Sequence, residues 1–123
     1  MSLSQKTVLV ADDSPLALEM VSKIVAKLGH LPIRARDGKR ALQLADHHVP
    51  DAFIVHLQMP KMNGLHLLKA LRGDDRFKEA PIIMLTSAND EDVIRRSSQG
   101  KATGYITKGN PTIILEHLRG YLG

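Results

Sequence analysis

The sequence predicts an α/β fold built on a doubly wound parallel sheet, and three observations carry that expectation. Short apolar runs alternate with longer amphipathic segments from end to end, the pattern of strands joined by crossover helices. The apolar runs are strand-sized and rich in β-branched residues, as in strands covered on both faces. Polar residues suited to chemistry follow four of these runs, where open parallel sheets bind their ligands.

Each element has its own warrant. Thr7 to Ala11 is apolar and β-branched, a first strand. Ser14 then offers an N-cap and Pro15 a first helical position. Ala17, Met20, Val21, Ile24, Val25 and Leu28 recur at helical spacing until Gly29 stops the helix. Leu31 to Ala35 reads as a second strand, Gly38 to His47 as a second helix and Ala52 to Val55 as a third strand, with Pro50-Asp51 at the turn. Leu65, Leu68, Ala70 and Leu71 form a helix stripe. Pro81 to Leu85 is a fourth strand whose first position tolerates proline. A fourth helix is expected from about Asp90: Asp90, Glu91 and Asp92 suit its N-terminal dipole, and Arg95 and Arg96 lie toward its other end. Gly104 to Thr107 is a fifth strand. Asn110 and Pro111 cap a last helix carrying Ile113, Ile114, Leu118 and Leu122.

A chain of 123 residues suffices for one domain. It has no cysteine, which removes disulfides and thiolate metal sites and fits a reducing, cytoplasmic setting. No apolar run approaches the roughly 20 residues needed to cross a bilayer. Met1-Ser2-Leu3 is compatible with a cloning remnant, so residues 1–5 are expected to be a flexible or cloning-derived tail to a domain spanning 1–123. The net charge of +4 comes from Arg and Lys scattered between elements, not concentrated in one segment. With Phe53, Phe77, Tyr105 and Tyr121 as the aromatics, a base-stacking surface is not indicated, which argues against nucleic acid as the partner of this domain alone.

The polar residues converge. Asp12-Asp13 follow the first strand, His56 the third, Thr86-Ser87 the fourth and Lys108 the fifth. Two acids, a hydroxyl and a lysine suit a divalent cation beside a phosphoryl group: carboxylates hold a hard ion, while hydroxyl and ammonium meet phosphoryl oxygens. Singly, each has an ordinary reading. Asp12-Asp13 alone would be a turn and cap pair, Thr86 a turn residue and Lys108 a solvated charge. Their joint placement at successive strand ends favours a site.

The segments VLVADDSP, PDAFIVHLQMPKMNG, PIIMLTSA and GYITKG resemble the response-regulator receiver domain (CheY-like) of two-component signalling, over essentially the whole chain. The loop Met59-Pro60-Lys61-Met62-Asn63-Gly64 is the most specific match. The resemblance implies a flavodoxin-like five-stranded sheet of order 2-1-3-4-5 with five helices. It implies that Asp12 and Asp13 match a magnesium-binding acidic pair, Thr86 a switch hydroxyl, Tyr105 a switch aromatic and Lys108 a phosphoryl-contacting lysine. Thr86, Ser87 and Lys108 with the acids then form the remnant of a phosphoryl pocket. The aspartate that attacks phosphohistidine on a partner kinase falls on His56.

An imidazole supplies neither the oxygen nucleophile nor the carboxylate ligand of that aspartate. The phosphoacceptor site therefore reads as degenerate, with no catalytic residue, and magnesium binding is expected to be weak, with Asp12, Asp13 and Gln58 as its weak candidates. His56 is expected to hydrogen-bond or pair with Asp12 or Asp13, making a fixed-state module whose pairing could respond to pH. Two other roles stay open: with the two acids it could bind a softer ion such as zinc, cobalt or nickel, or it could accept a phosphoryl group itself. A hydrolase using Asp12 as nucleophile would need a second acid where Ser14 stands. Gly109 replaces the family's usual proline after Lys108, so a trans peptide and a shifted loop are expected. Lys101 stands where the family usually has glycine, with Gly100 beside it to end the fourth helix. His47-His48 suit a helix C-terminus, and His30, His66 and His117 show no ligand partners in the sequence.

The expected function is that of a cytoplasmic, non-enzymatic pseudo-receiver in phosphorelay signal transduction, acting by contact with a histidine kinase or an output or effector domain. The expected surface is the face of the fourth helix, fifth strand and fifth helix, including Arg95, Arg96 and Tyr105. The competing reading is a phosphotransfer-competent or metal-binding receiver that uses His56 unconventionally.

Overall fold

The computed structural model describes residues 5–59, 62–86, 95, 100–107 and 109–123. The elements are β1 (Thr7–Ala11), α1 (Pro15–Lys27), β2 (Leu31–Ala35), α2 (Gly38–His48), β3 (Ala52–His56), α3 (Gly64–Arg72), a 3-10 turn (Asp75–Phe77), β4 (Ile82–Thr86), β5 (Gly104–Thr107) and α4 (Pro111–Leu122). The strands are parallel in the order β2-β1-β3-β4-β5, as the resemblance implies. Here α4 is the last of the expected helices. The helix expected from Asp90 falls outside the described residues apart from Arg95, which is helical. Among the described residues no helix is long and apolar enough to cross a membrane.

Side chains alternate across a strand with period two, and here that alternation sorts the apolar residues into two cores. Val8, Val10, Ala52, Ile54, Ile83 and Leu85 pack under α1 and α4. Leu9, Ala11, Phe53, Val55, Ile82 and Met84 pack under α2 and α3. Phe53 meets Phe77 of the 3-10 turn edge-on, ring centroids 5.0 Å apart, a favoured aromatic geometry.

Capping fixes where the helices begin. Ser14 Oγ accepts from the Ala17 amide at 3.3 Å and Pro15 opens α1. Asp37, Asn63 and Asn110 accept from the amides of Arg40, His66 and Thr112 in the same way. Gly29, at φ 92°, is the expected stop after α1.

Several sequence expectations shift. β3 takes in His56, which pairs with Leu85 of β4, and the ladder continues as Leu57 N–H donates to Leu85 at 2.9 Å. β4 begins at Ile82 and takes in Thr86, while α2 runs on to His48. The buried face of α3 is Leu67, Leu68 and Leu71, with Ala70 exposed. In α1, Leu18 and Ser22 join the core. Ile114, Leu118 and Leu122 recur every four residues and are buried in α4, whereas Ile113, about 100° away around the helix, is 53% exposed.

Two side chains, His30 and Arg72, hold the frame. The imidazole of His30 is buried; its Nδ1 accepts from the Lys6 amide at 3.0 Å and its Nε2 lies 3.1 Å from the Gly123 oxygen. An accepting Nδ1 assigns the proton of the neutral ring to Nε2, which then donates to Gly123. Arg72, at the end of α3, donates to the carbonyls of Phe77, Ala80 and Lys101 and to the Thr103 hydroxyl. Burial pushes its pKa below the usual guanidinium value, opposed by Glu79. Lys101, not Gly100, takes the left-handed conformation, with φ 66°, so the positive φ that favours glycine falls on a lysine held by Arg72 through its carbonyl.

Candidate functional site

The sheet order reverses between β1 and β3: β1 is followed by β2 on one side, while β3 and then β4 continue on the other. The crevice outside the carboxyl ends of these strands is where doubly wound sheets bind ligands. The register pairs Ala11 with Val55, so the next residues, Asp12 just beyond β1 and His56 at the end of β3, stand side by side.

Both are buried, Asp12 to 1% exposure and His56 to 9%, while Asp13 is exposed. Asp12 Oδ1 accepts from the Ser14 amide at 3.0 Å, which orients the carboxylate, and Oδ2 faces His56 Nδ1 at 3.9 Å. That separation is within ion-pair reach for a protonated imidazole and beyond a hydrogen bond. The expected close pairing is therefore met as proximity, not as a hydrogen bond between these two atoms. One ligand atom each from Asp12, Asp13 and His56 lie within 4.8 Å of one another. Two carboxylates and an imidazole at this spacing could hold a divalent cation, magnesium included through the carboxylate oxygens.

The loop after β3 is built to return to this point. Asn63 caps α3, Gly64 opens it, and the Gly64 amide donates to Leu57 at 2.7 Å. A Cβ on Gly64 would collide with the backbone oxygen of His56 and stand 2.9 Å from Leu57 Cα. Glycine at position 64 is thus required by close backbone approach. Met62 of the same loop packs against Gly38 at the start of α2, where a Cβ would stand 2.8 Å from the methionine Cβ. The motif was visible in the sequence, but its reason was not. The Asn-Gly ahead of an apolar helical stripe was the available capping signal.

The other expected site residues are placed unevenly. Thr86 ends β4 and is buried, paired in register with Thr107. Gln58 is exposed in the loop after His56. Ser87, Arg96, Lys108 and the Lys108–Gly109 peptide lie outside the described residues. Tyr105 on β5 is 39% exposed and lines a shallow groove with Thr107, Ile113 and His117. Arg95 is exposed. Of the remaining histidines, His47 and His48 are exposed and meet edge to face at 4.8 Å, and His66 and His117 are exposed.

Comparison with known proteins agrees with this architecture. Residues 8–119 match the model of the response regulator receiver domain. The polar-differentiation response regulator DivK of Brucella anthropi is 33% identical over 122 residues, covering 96% of this chain and 97% of the relative. The chemotaxis response regulator CheY4 of Vibrio cholerae superposes with a TM-score of 0.90 at 33% identity, covering 96% of this chain and 99% of that one. A putative response regulator from Chloroflexus aurantiacus superposes with a TM-score of 0.89 at 28% identity, covering 96% and 98%. With its strand order, its acidic pair beyond β1 and a family match over nearly its whole length, this chain belongs to the response regulator receiver domain family of two-component signalling.

Proposed function

We propose that this receiver works without aspartyl phosphate, as a cytoplasmic contact module that catalyses no phosphotransfer. The observation that supports the reading is His56 itself: it ends β3 beside the buried Asp12, at the position that matches the family's phosphoacceptor. An imidazole there offers no carboxylate oxygen to form an acyl phosphate. The remaining pocket then has structural value, and information passes by binding.

The proposed contact face joins β5 to α4, and the family resemblance adds Arg95 to it. Tyr105 and Ile113 are large, exposed and adjacent to the same groove. Exposed aromatic and aliphatic side chains grouped in this way supply anchor contacts for a protein partner, here a histidine kinase or an effector domain.

Incubation with acetyl phosphate and magnesium, followed by intact-mass analysis, tests the reading. Wild-type protein is expected to remain unmodified, while His56→Asp gains a base-labile phosphate if the rest of the pocket is intact. Stoichiometric base-labile phosphate on the wild type sinks the proposal. An acid-labile, base-stable adduct would instead mean that the imidazole accepts the phosphoryl group.

A further inference from the structure

We infer that Asp12, Asp13 and His56 form a divalent-cation site that prefers nickel, cobalt or zinc over magnesium. The inference rests on the reading of His56 as the residue at the family's phosphoacceptor position, and it concerns the ion, not the phosphate.

The geometry sets the first condition. Ligand atoms sit about 2.0–2.2 Å from such ions, so two ligands of one ion are at most roughly 4.4 Å apart. Asp12 Oδ2 and His56 Nδ1, at 3.9 Å, already fit within that span. The widest separation in the trio, up to 4.8 Å, must close slightly, and the exposed Asp13 side chain has the rotamer freedom to do so.

Orientation supplies a second, independent observation. The Ser14 amide holds Asp12 Oδ1, and the oxygen that faces His56 is Oδ2. The backbone of His56 is fixed as well, since it pairs with Leu85 and Gly64 closes against its carbonyl oxygen. One carboxylate is therefore oriented, and the backbone carrying the imidazole is set, before an ion arrives, which lowers the ordering cost of binding.

The donor set then decides the ion. Magnesium prefers oxygen ligands in near-ideal octahedral geometry and gains little from an imidazole. Nickel, cobalt and zinc bind imidazole well and accept carboxylate beside it, and their affinities for nitrogen and oxygen sites exceed those of lighter divalent ions. Three protein donors leave the remaining coordination positions open toward the rim of the sheet, where water or an anionic group would complete the shell.

Calorimetric titration of the full chain with nickel, cobalt and magnesium chlorides, together with the visible spectrum of the cobalt form, tests the inference. Nickel and cobalt are expected to bind at one site at least tenfold more tightly than magnesium. His56→Asp should narrow that preference severalfold by removing the imidazole nitrogen, an unchanged preference overturning the inference, and Asp13→Asn, altering an exposed group, should weaken nickel about tenfold or more. His47→Gln with His48→Gln is the control, because adjacent exposed imidazoles can collect nickel by themselves. Equal affinities in the wild type, or binding that disappears with His47 and His48 and persists in His56→Asp, overturns the inference. Phosphate labelling is a separate readout: a labelled wild type with the nickel preference intact defeats only the function proposed above, and an unlabelled one without the preference defeats only this site.

Discussion

Gly64 and His56 meet backbone to backbone: the first residue of α3 lies so close to the carbonyl of the last residue of β3 that no side chain fits between them. Gly64, the last residue of the most specific match to the family, is therefore a clamp on the residue beside Asp12.

Gly64→Ala is expected to destabilise the domain by about 2–3 kcal/mol, the cost of forcing atoms into a packed space. Gly104→Ala is the informative comparison, since its new methyl would meet the hydroxyl end of Tyr121, a side chain that can swing aside. Urea unfolding should rank Gly64→Ala as clearly worse. The reverse ranking would show that the loop, not Tyr121, yields.

Arg72 ties three stretches of backbone together through one guanidinium. Arg72→Lys keeps the charge but lacks the fork that serves several carbonyls at once. A loss of about 2 kcal/mol is expected, since hydrogen bonds from charged groups contribute roughly 1.5–3 kcal/mol each and this one is partly solvated. Amide exchange should accelerate at Ala80 and Thr103. A lysine variant as stable as the wild type would refute the role.

Val49 caps α2 in the left-handed region, with φ 45°, a conformation that crowds a β-branched side chain. Val49→Asn is expected to stabilise the domain by about 0.5–1 kcal/mol, because asparagine tolerates this region and Val49 is half exposed. Thermal unfolding should shift upward by about 2–4 °C, scaled from typical unfolding entropies. The same argument gives Lys101→Gly a smaller gain, offset by the unfolded-state entropy of glycine.

The 3-10 turn provides a pH prediction. The Arg76 side chain, and then its backbone amide, donate to Asp74 and hold that carboxyl below its usual range. A carboxyl with a depressed folded-state pKa contributes stability above its unfolded value of about 3.9, and the contribution is lost as pH falls through the lower folded value. Carbon NMR titration should place the Asp74 midpoint below 3.9 in the wild type and nearer to it in Arg76→Gln. A wild-type midpoint at or above the ordinary value would contradict the clasp.

Much of the fold was legible because apolar residues keep strict time. β1, β2 and β5 fall on their expected residues, since each is a short run bounded by turn signals. His56 and Thr86 were placed just outside their strands because polar side chains look like strand ends, whereas the backbone ladder takes no account of polarity. Ile113 belongs to the expected last helix but lies off the stripe that Ile114, Leu118 and Leu122 define, and so is exposed. The meeting of Asp12 with His56 followed from topology and register. What no periodicity encodes is the use of single side chains as ties: His30 joining Lys6 to Gly123, and Arg72 gathering carbonyls from distant loops. Such contacts depend on chain ends and turns that come together only in three dimensions.

Because residue 56 is secured on one side by its pairing with Leu85 and on the other by Gly64, its backbone behaves as a socket whose insert can be exchanged. Histidine and aspartate codons differ by a single base. A lineage could therefore exchange the chemistry at this rim in one mutational step, in either direction, without rebuilding the scaffold that presents it.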